Sequence, residues 1–246
     1  MNETIRQLLE RKSVRSFEDR EIGPAETEAI LTAAAMAPTA GNQQLYTILR
    51  ITDPAIRETL AELCDHQPFI ARAALALVFC ADCLKWYDAY DSAGCAPRRP
   101  GPGDLLLAVD DALIAAQNAV TAAESLGIGS CYIGDVMENG AGIRALLRLP
   151  RYVFPAALVV FGYPTAQQRL RPKPLRAPLD QIVQENVYHR RTPEELRAML
   201  TPKAGREDPD AWLRAFCERK YHSDFALEMN RSAAEYLEDF AAIPGE

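Results

Sequence analysis

The segment Arg11-Lys12-Ser13-Val14-Arg15 sets two guanidinium groups and a hydroxyl at alternate positions. In an extended chain these three side chains share one side, whereas on a helix Ser13 would fall opposite the two arginines. Two guanidinium forks and a hydroxyl together supply the donors that a phosphate needs. A basic patch at a helix end, where cations suit the dipole, reads the same way, and the motif alone leaves the two readings level. A second segment, Ala37-Pro38-Thr39-Ala40-Gly41-Asn42-Gln43-Gln44, holds two residues tolerant of unusual backbone angles, Gly41 and Asn42. The Asn42 amide both donates and accepts. By itself this is a helix-ending loop. A third segment, Gly127 to Asp135, reads as a strand between glycine turns, and Gly134 would let backbone approach a flat ligand closely.

Six cysteines in 246 residues do not form a disulfide scaffold. Cys80 and Cys83 have the spacing of a redox dithiol or half a zinc site, or they are a buried strand thiol followed by a loop thiol. No second pair of that spacing exists, and His66, His189 and His222 show no paired spacing. The structural reading is favoured, and no metal is expected.

Elements of both periods must position these segments. Ile5, Leu8 and Leu9 give residues 3–11 a helical stripe, and Pro24 suits the first turn of a second helix that carries Ile30, Leu31 and Ala34 and stops at Pro38. Tyr46 to Thr52 reads as a strand, and Asp53-Pro54 then starts a helix through about Leu63. Ala74 to Ala81 is a continuous apolar run, read as a strand buried on both faces. The loop from Ala96 to Gly103 is dense in Pro, Arg and Gly. Asp104 to Leu126 is the longest predicted helix, apolar on nearly every face, so it must be enclosed within the fold or against a partner chain. A strand near Ile128 to Ile133, a helix near Gly142 to Leu147 and a strand from Ala156 to Gly162 follow. Pro164 to Pro178 is expected to run extended over the surface. Helices are expected over Pro193 to Leu200, Asp208 to Arg219 and roughly Ser223 to Phe240. The expected organisation is a core over 1–190 and a helical extension of the same domain over 191–246.

Hydrophobic residues make up 48% and charged residues 25%, the balance of an ordinary globular protein. A net charge of -7 argues against nucleic acid and anionic membranes as partners, so any phosphate must be held by a local cluster working against the field. The N-terminus carries charges and no apolar signal core, and Ala73 to Ala81 and Val153 to Tyr163 are too short to span a bilayer as helices. A cytoplasmic location is expected.

In order and content, these segments resemble the nitroreductase family: R-x-S-x-R after the first helix, A-P-T-A-G-N-Q after the second, a long apolar helix ending A-E-S-L-G-I-G, then Y-I-G, then Arg171-x-Lys173. The likeness covers nearly the whole chain and is closest to NADPH-dependent flavin reductases and oxygen-insensitive nitroreductases with an extra C-terminal helical segment. It implies an α+β fold, a mainly antiparallel sheet flanked by helices, in an intertwined homodimer with two FMN sites at its interface.

Carried over position by position, the resemblance implies that Arg11, Ser13, Arg171 and Lys173 hold the FMN phosphate, with Lys12 counted among the cofactor-binding residues. Arg15 would lie near the pyrimidine edge of the flavin, and Gln67 would hydrogen-bond it. Tyr132, Ile133, Gly134 and Asp135 would run past the ring, and Thr39 and Asn42 would approach from the other subunit. Hydride would pass from NADPH, with NADH as a possible substitute, through flavin N5 to nitroaromatic, quinone or flavin acceptors in a ping-pong cycle. No side chain need be catalytic, because the cofactor does the chemistry.

Two departures stand out. Asp135 occupies a position often held by a second glycine. The region expected to select NADPH reads Thr201-Pro202-Lys203-Ala204-Gly205-Arg206, where Lys203 and Arg206 would either meet the 2′-phosphate or simply be surface charge. Other reactions of this fold, reductive dehalogenation or flavin fragmentation, are an alternative. So is a non-enzymatic flavin-binding or thiol-redox protein relying on Cys80 and Cys83.

Overall fold

Asn2 accepts from the Ile5 amide and starts α1 (Glu3–Glu10). The N1 proline starts α2 (Pro24–Ala35), and the Glu26 carboxylate accepts from the Gly23 amide at 2.8 Å. The chain continues through β1 (Tyr46–Arg50), α3 (Pro54–Leu63), α4 (Phe69–Arg72), β2 (Leu75–Asp82), α5 (Leu84–Ser92), α6 (Pro102–Ser125), β3 (Gly129–Ile133), α7 (Gly140–Leu147) and β4 (Val153–Gly162). After these come α8 (Ala166–Leu170), α9 (Leu179–Ile182), α10 (Pro193–Ala204), α11 (Pro209–Cys217) and α12 (Asp224–Glu238). This computed structural model describes residues 1–205 and 208–241.

The four strands form one antiparallel sheet in the order β1-β2-β4-β3. Alternation along β2 sends Leu75, Leu77 and Phe79 to one core, shared with α2 and α6, and Ala76, Val78 and Cys80 to another, shared with α3 and α7. The strand is buried on both faces, as its apolar run predicts. In β4 the same alternation slips by one residue. Phe154 and Ala156 face the first core, and so do Val159 and Phe161. The slip coincides with a register shift where Cys80 pairs with Pro155 and Phe79 with Ala157. A proline has no amide to give a ladder, so an interior strand tolerates it at such an irregularity.

Alanines at 108, 112, 115, 116, 119 and 123 line the buried side of α6. Small side chains there let the helix lie close to the sheet. Its opposite side leaves Leu106, Leu107, Leu113 and Ile114 between 38 and 67% exposed. By length and composition this helix would cross a bilayer, the one helix among the described residues that would, but its alanine face is packed against the sheet.

Several expected boundaries change. β1 stops at Arg50, and β4 starts at Val153 because Pro155 hid its first residues. The stretch after Pro164 is not wholly extended, since the Thr165 hydroxyl accepts from the Gln168 amide and caps α8. The α5 helix had no sequence expectation; the Asp82 carboxylate caps it by accepting from the Leu84 and Lys85 amides at 3.1 and 3.2 Å.

The chain divides into two compact units: Met1–Arg171 with the chain from Glu228, and Pro172–Leu227. The boundary expected at 190 therefore falls inside the second unit, and the last helix from Glu228 on belongs to the first. There the Tyr236 hydroxyl donates to the Gly140 carbonyl at 3.1 Å, and Ser232 accepts from the Gly140 amide at 2.9 Å. Within the second unit the Thr192–Glu195 capping box starts α10, Asp208 caps α11, and Trp212 stacks on Phe216 at 4.9 Å.

Candidate functional site

Residues 13–18 run extended beside the sheet. Ser13 bridges Ser130 in parallel, the Val14 amide donates to the Ser130 carbonyl at 2.9 Å, and the Glu18 amide donates to that of Tyr163 at 2.8 Å. Val14 is buried, while Ser13 and Arg15 on either side are exposed, the alternation of an extended chain. Two glycines make room for this segment. Gly129 and Gly162 pair across β3 and β4, and a Cβ on Gly129 would stand 2.5 Å from Val14 Cγ2. A Cβ on Gly162 would stand 2.7 Å from Phe17 Cδ1. Sequence reasoning missed both, though each glycine sits at a strand end where a close approach is the usual cause.

The Arg11 guanidinium is half-buried, and its Nε and Nη2 are shielded from solvent with no hydrogen-bond acceptor among the described residues. Buried donors without acceptors are rare, so the group calls for an anion. Arg15, Ser13 and Arg11 all bear on Cys131: burial pushes its thiol up, and these three groups pull against that. Arg11 likewise opposes the burial that pushes the Tyr132 phenol up to about 12. The alternate residues of the motif thus all act on the Cys131 thiol, beside Ser130 where Ser13 bridges β3.

Lys12 points elsewhere. Its ammonium donates to the carbonyls of Arg169 and Arg171 at 2.6 and 2.5 Å, which ties the Arg171 backbone to this segment. Gln168, buried, donates to the Ser13 carbonyl and accepts from the Arg15 amide, both at 3.4 Å. Lys173 belongs to the second unit.

Beyond Tyr132, whose hydroxyl reaches Gln117 Oε1 at 3.4 Å, the side chain of Ile133 is buried in the core, leaving only its backbone for a ligand. A 3-10 turn, Gly134–Met137, follows, with Gly134 exposed and Asp135 half-buried. The loop holding Gln67 adjoins this turn. Asp65 and His66 take left-handed backbone angles, φ 58° and 49°, and the Gln67 amide donates to the Cys64 carbonyl at 2.8 Å. Asp135 and Glu138 bear on the Cys64 thiol, which burial pushes up to about 12.

Glu138 was not foreseen. It is buried, its Oε2 has no partner among the described residues, and burial pushes its carboxyl up to about 7, with Asp135, Asp65 and Glu228 adding to the rise.

The Thr39–Gln44 loop is organised by another unforeseen residue, Asp111 of α6. This carboxylate, 3% exposed, accepts from the Thr39 hydroxyl, the Ala40 amide at 2.9 Å and the Leu45 amide at 3.1 Å. Thr39 accepts in turn from the Gln44 amide at 2.7 Å, so its hydroxyl is fully engaged. Gly41, Asn42 and Gln44 take left-handed angles of 56°, 58° and 51°, and the Asn42 side chain is exposed. Beside the loop lies a cavity of about 310 Å³ walled by Gln43, Trp86, Tyr87, Tyr90, Pro97 and Arg98.

Cys80 and Cys83 are free and buried, and burial pushes each thiol up to about 12. Cys80 lies in β2 and Cys83 in the connection between β2 and α5, the strand thiol and loop thiol that the structural reading expects. No group of three metal-ligating side chains occurs among the described residues. In the second unit Lys203 lines a cavity of about 440 Å³ with Leu200, Trp212 and Phe216. Arg206 lies outside the described residues.

Comparison with known proteins places this geometry in context. A profile of the nitroreductase family matches residues 8–163. The oxygen-insensitive NADPH nitroreductase of Salmonella typhimurium is 38% identical over 189 residues, 76% of this chain and 75% of that protein. The NAD(P)H-dependent FMN reductase of Bacillus subtilis is 33% identical over 78% of this chain and 75% of its own length. Among solved structures, the NADPH:FMN oxidoreductase of Vibrio harveyi complexed with NAD+ superposes with a TM-score of 0.74 at 26% identity, covering 97% of this chain and 98% of that one.

Proposed function

Because the chain belongs to the nitroreductase family, we propose that it is an NAD(P)H-dependent oxidoreductase that carries FMN and reduces nitroaromatics, quinones or free flavin. When bound, FMN would supply the chemistry, accepting hydride at N5 and handing two electrons to an acceptor after the oxidised nicotinamide has left. The observation that carries the reading is the Arg11 guanidinium, whose buried Nε and Nη2 lack acceptors among the described residues. A phosphate with close to two negative charges fits that need; Ser13 lies on the same strip of chain, and Lys12 ties the Arg171 backbone to it. Lys173 would join them, as the resemblance implies. Lys12 would act indirectly, by holding the 169–171 backbone.

Arg15 would stabilise negative charge at the pyrimidine edge of a reduced flavin. The backbone from Tyr132 to Asp135, with exposed Gly134, would lie along the ring, and Gln67 would bond its edge. Thr39 shapes its loop through Asp111, leaving Asn42 as the exposed group to meet a flavin held by a second subunit. The leucine face of α6 and the half-exposed Ile5, Leu8 and Leu9 of α1 are apolar surfaces that a homodimer would cover. Lys203 and Arg206 are the proposed contacts for the NADPH 2′-phosphate, and the aromatic cavity beside Gln43 would favour flat acceptors. We place the protein in the cytoplasm.

The test is direct. Purified protein should be yellow and should oxidise NADPH when given menadione or a nitrofuran. Colourless protein would contradict the cofactor, and a flavin-loaded protein without NADPH or NADH turnover would contradict the activity.

A further inference from the structure

Behind the Gly134–Met137 turn, the buried Glu138 lies within the electrostatic reach of three other carboxylates. Glu138 closes the turn, its amide donating to the Asp135 carbonyl at 3.0 Å, and its side chain points inward. The charges that act on it are Asp135 from the turn itself, the exposed Asp65 and His66 from the loop after α3, and Glu228 from α12. Asp135 and Glu138 also act on the buried Cys64 thiol. Glu228 is fixed as an anion, because Arg231 grips it at 2.7 Å and Ser232 donates to it at 2.8 Å. Among the described residues His66 is the one group whose charge acts to lower Glu138, and it stands 3.2 Å from Glu62; Arg231 on α12 is engaged by Glu228. Glu138 is therefore the member with neither a cation nor a donor at its Oε2, which is shielded from water.

A carboxylate in that position bears an uncompensated charge, whereas a carboxylic acid does not. We propose that Glu138 is a proton-linked tuning residue of the flavin site, protonated when the bound flavin is reduced and ionised at alkaline pH when it is oxidised. This rests on the FMN reading above. Glu138 touches no substrate; it acts through the turn that would lie along the ring.

The proton count follows. Where Glu138 is protonated in both states, reduction takes up one proton: FMN + 2e⁻ + H⁺ gives the flavin hydroquinone anion. The anion adds negative charge near Glu138 and raises its proton affinity further. Above about pH 7, where Glu138 ionises in the oxidised protein, the balance becomes FMN + Glu138 carboxylate + 2e⁻ + 2H⁺, giving the hydroquinone anion and Glu138 carboxylic acid. The midpoint potential should then fall twice as steeply with pH, two protons per two electrons instead of one.

The experiment is a spectroscopic redox titration of the flavin-loaded protein from pH 5.5 to 9, on wild type and Glu138→Gln. The expected result is a doubling of slope beginning near pH 7 in wild type and its loss in Glu138→Gln, with flavin still bound. A wild-type line of unchanged slope, or the same break in both proteins, would overturn the proposal. Infrared difference spectra between pH 6 and 8 separate its two halves. A protonated-carboxyl band present in wild type and lost in Glu138→Gln confirms titration whatever ligand the protein carries. If that band titrates but the protein takes up no flavin, the failure lies in the FMN reading and the tuning role falls with it. If flavin binds and the band is missing, the failure lies in Glu138.

Discussion

Residues 11–15 and 39–44 are both short polar segments, yet they settle their hydrogen bonds in opposite ways. In the first, the Arg11 guanidinium is half-buried, with two nitrogens unmatched among the described residues. In the second, Asp111 absorbs the Thr39 hydroxyl and the Ala40 and Leu45 amides, and Thr39 serves Gln44 as well. In the reading proposed above, one segment holds donors in reserve for a ligand. The other is a finished piece of architecture that presents Asn42. The difference separates residues that bind from residues that shape, which residue type alone does not.

The comparison breaks most visibly at Asp111. Asp111→Ala would strand three donors at once, that of Leu45 buried and those of Thr39 and Ala40 partly so, and should cost about 3–4 kcal/mol of folding stability, read from urea unfolding. A loss below about 1 kcal/mol would mean that the loop is not held from α6.

Next in size is the effect of pH on Glu138, the other buried carboxyl near the site. Its folded affinity for protons is raised, so the native state binds more protons than the unfolded chain. Its contribution to stability is therefore complete below the ordinary carboxyl range and is lost as pH rises from about 4.5 to about 7. Allowing for solvent screening, the loss should be about 2 kcal/mol, and Glu138→Gln should flatten that part of the stability curve.

Gly129→Ala tests how the first segment is seated. The new methyl would press on Val14, costing about 1–3 kcal/mol and loosening the strip that carries Ser13 and Arg15. Flavin retention should fall with it, measured after dialysis. The smallest effect is expected at the thiols. Replacing Cys80 and Cys83 with alanine should leave reductase turnover within about twofold, because thiols pushed up to about 12 are not nucleophiles near neutral pH. Loss of turnover in a folded double variant would revive the dithiol reading.

Much of this was legible in the sequence because it is local. The period of two in 11–15, the apolar run of β2 and the proline starts of α2 and α3 each depend on neighbours a few residues away. What was hidden depends on distant pairs. Asp111 reads as one acid on a long helix until the fold sets it against residues 39–45, 66 or more positions earlier. Glu138 acquires its character from burial first and then from Asp135, Asp65 and Glu228, the last two linked to it by no spacing. Pro155 concealed the start of β4 because an interior proline argues against a strand, and only the register shift opposite Cys80 accommodates it.

The central claim is that Arg11 grips a phosphate, and the most direct measurement compares FMN with riboflavin, which lacks one. Apo-protein titrated with each should bind FMN far more tightly, and Arg11→Ala should remove about 1.5–3 kcal/mol of that preference, roughly 10- to 150-fold, while leaving riboflavin affinity and folding stability unchanged. Equal affinity of the wild type for both flavins, or an undiminished preference in the variant, would contradict the account.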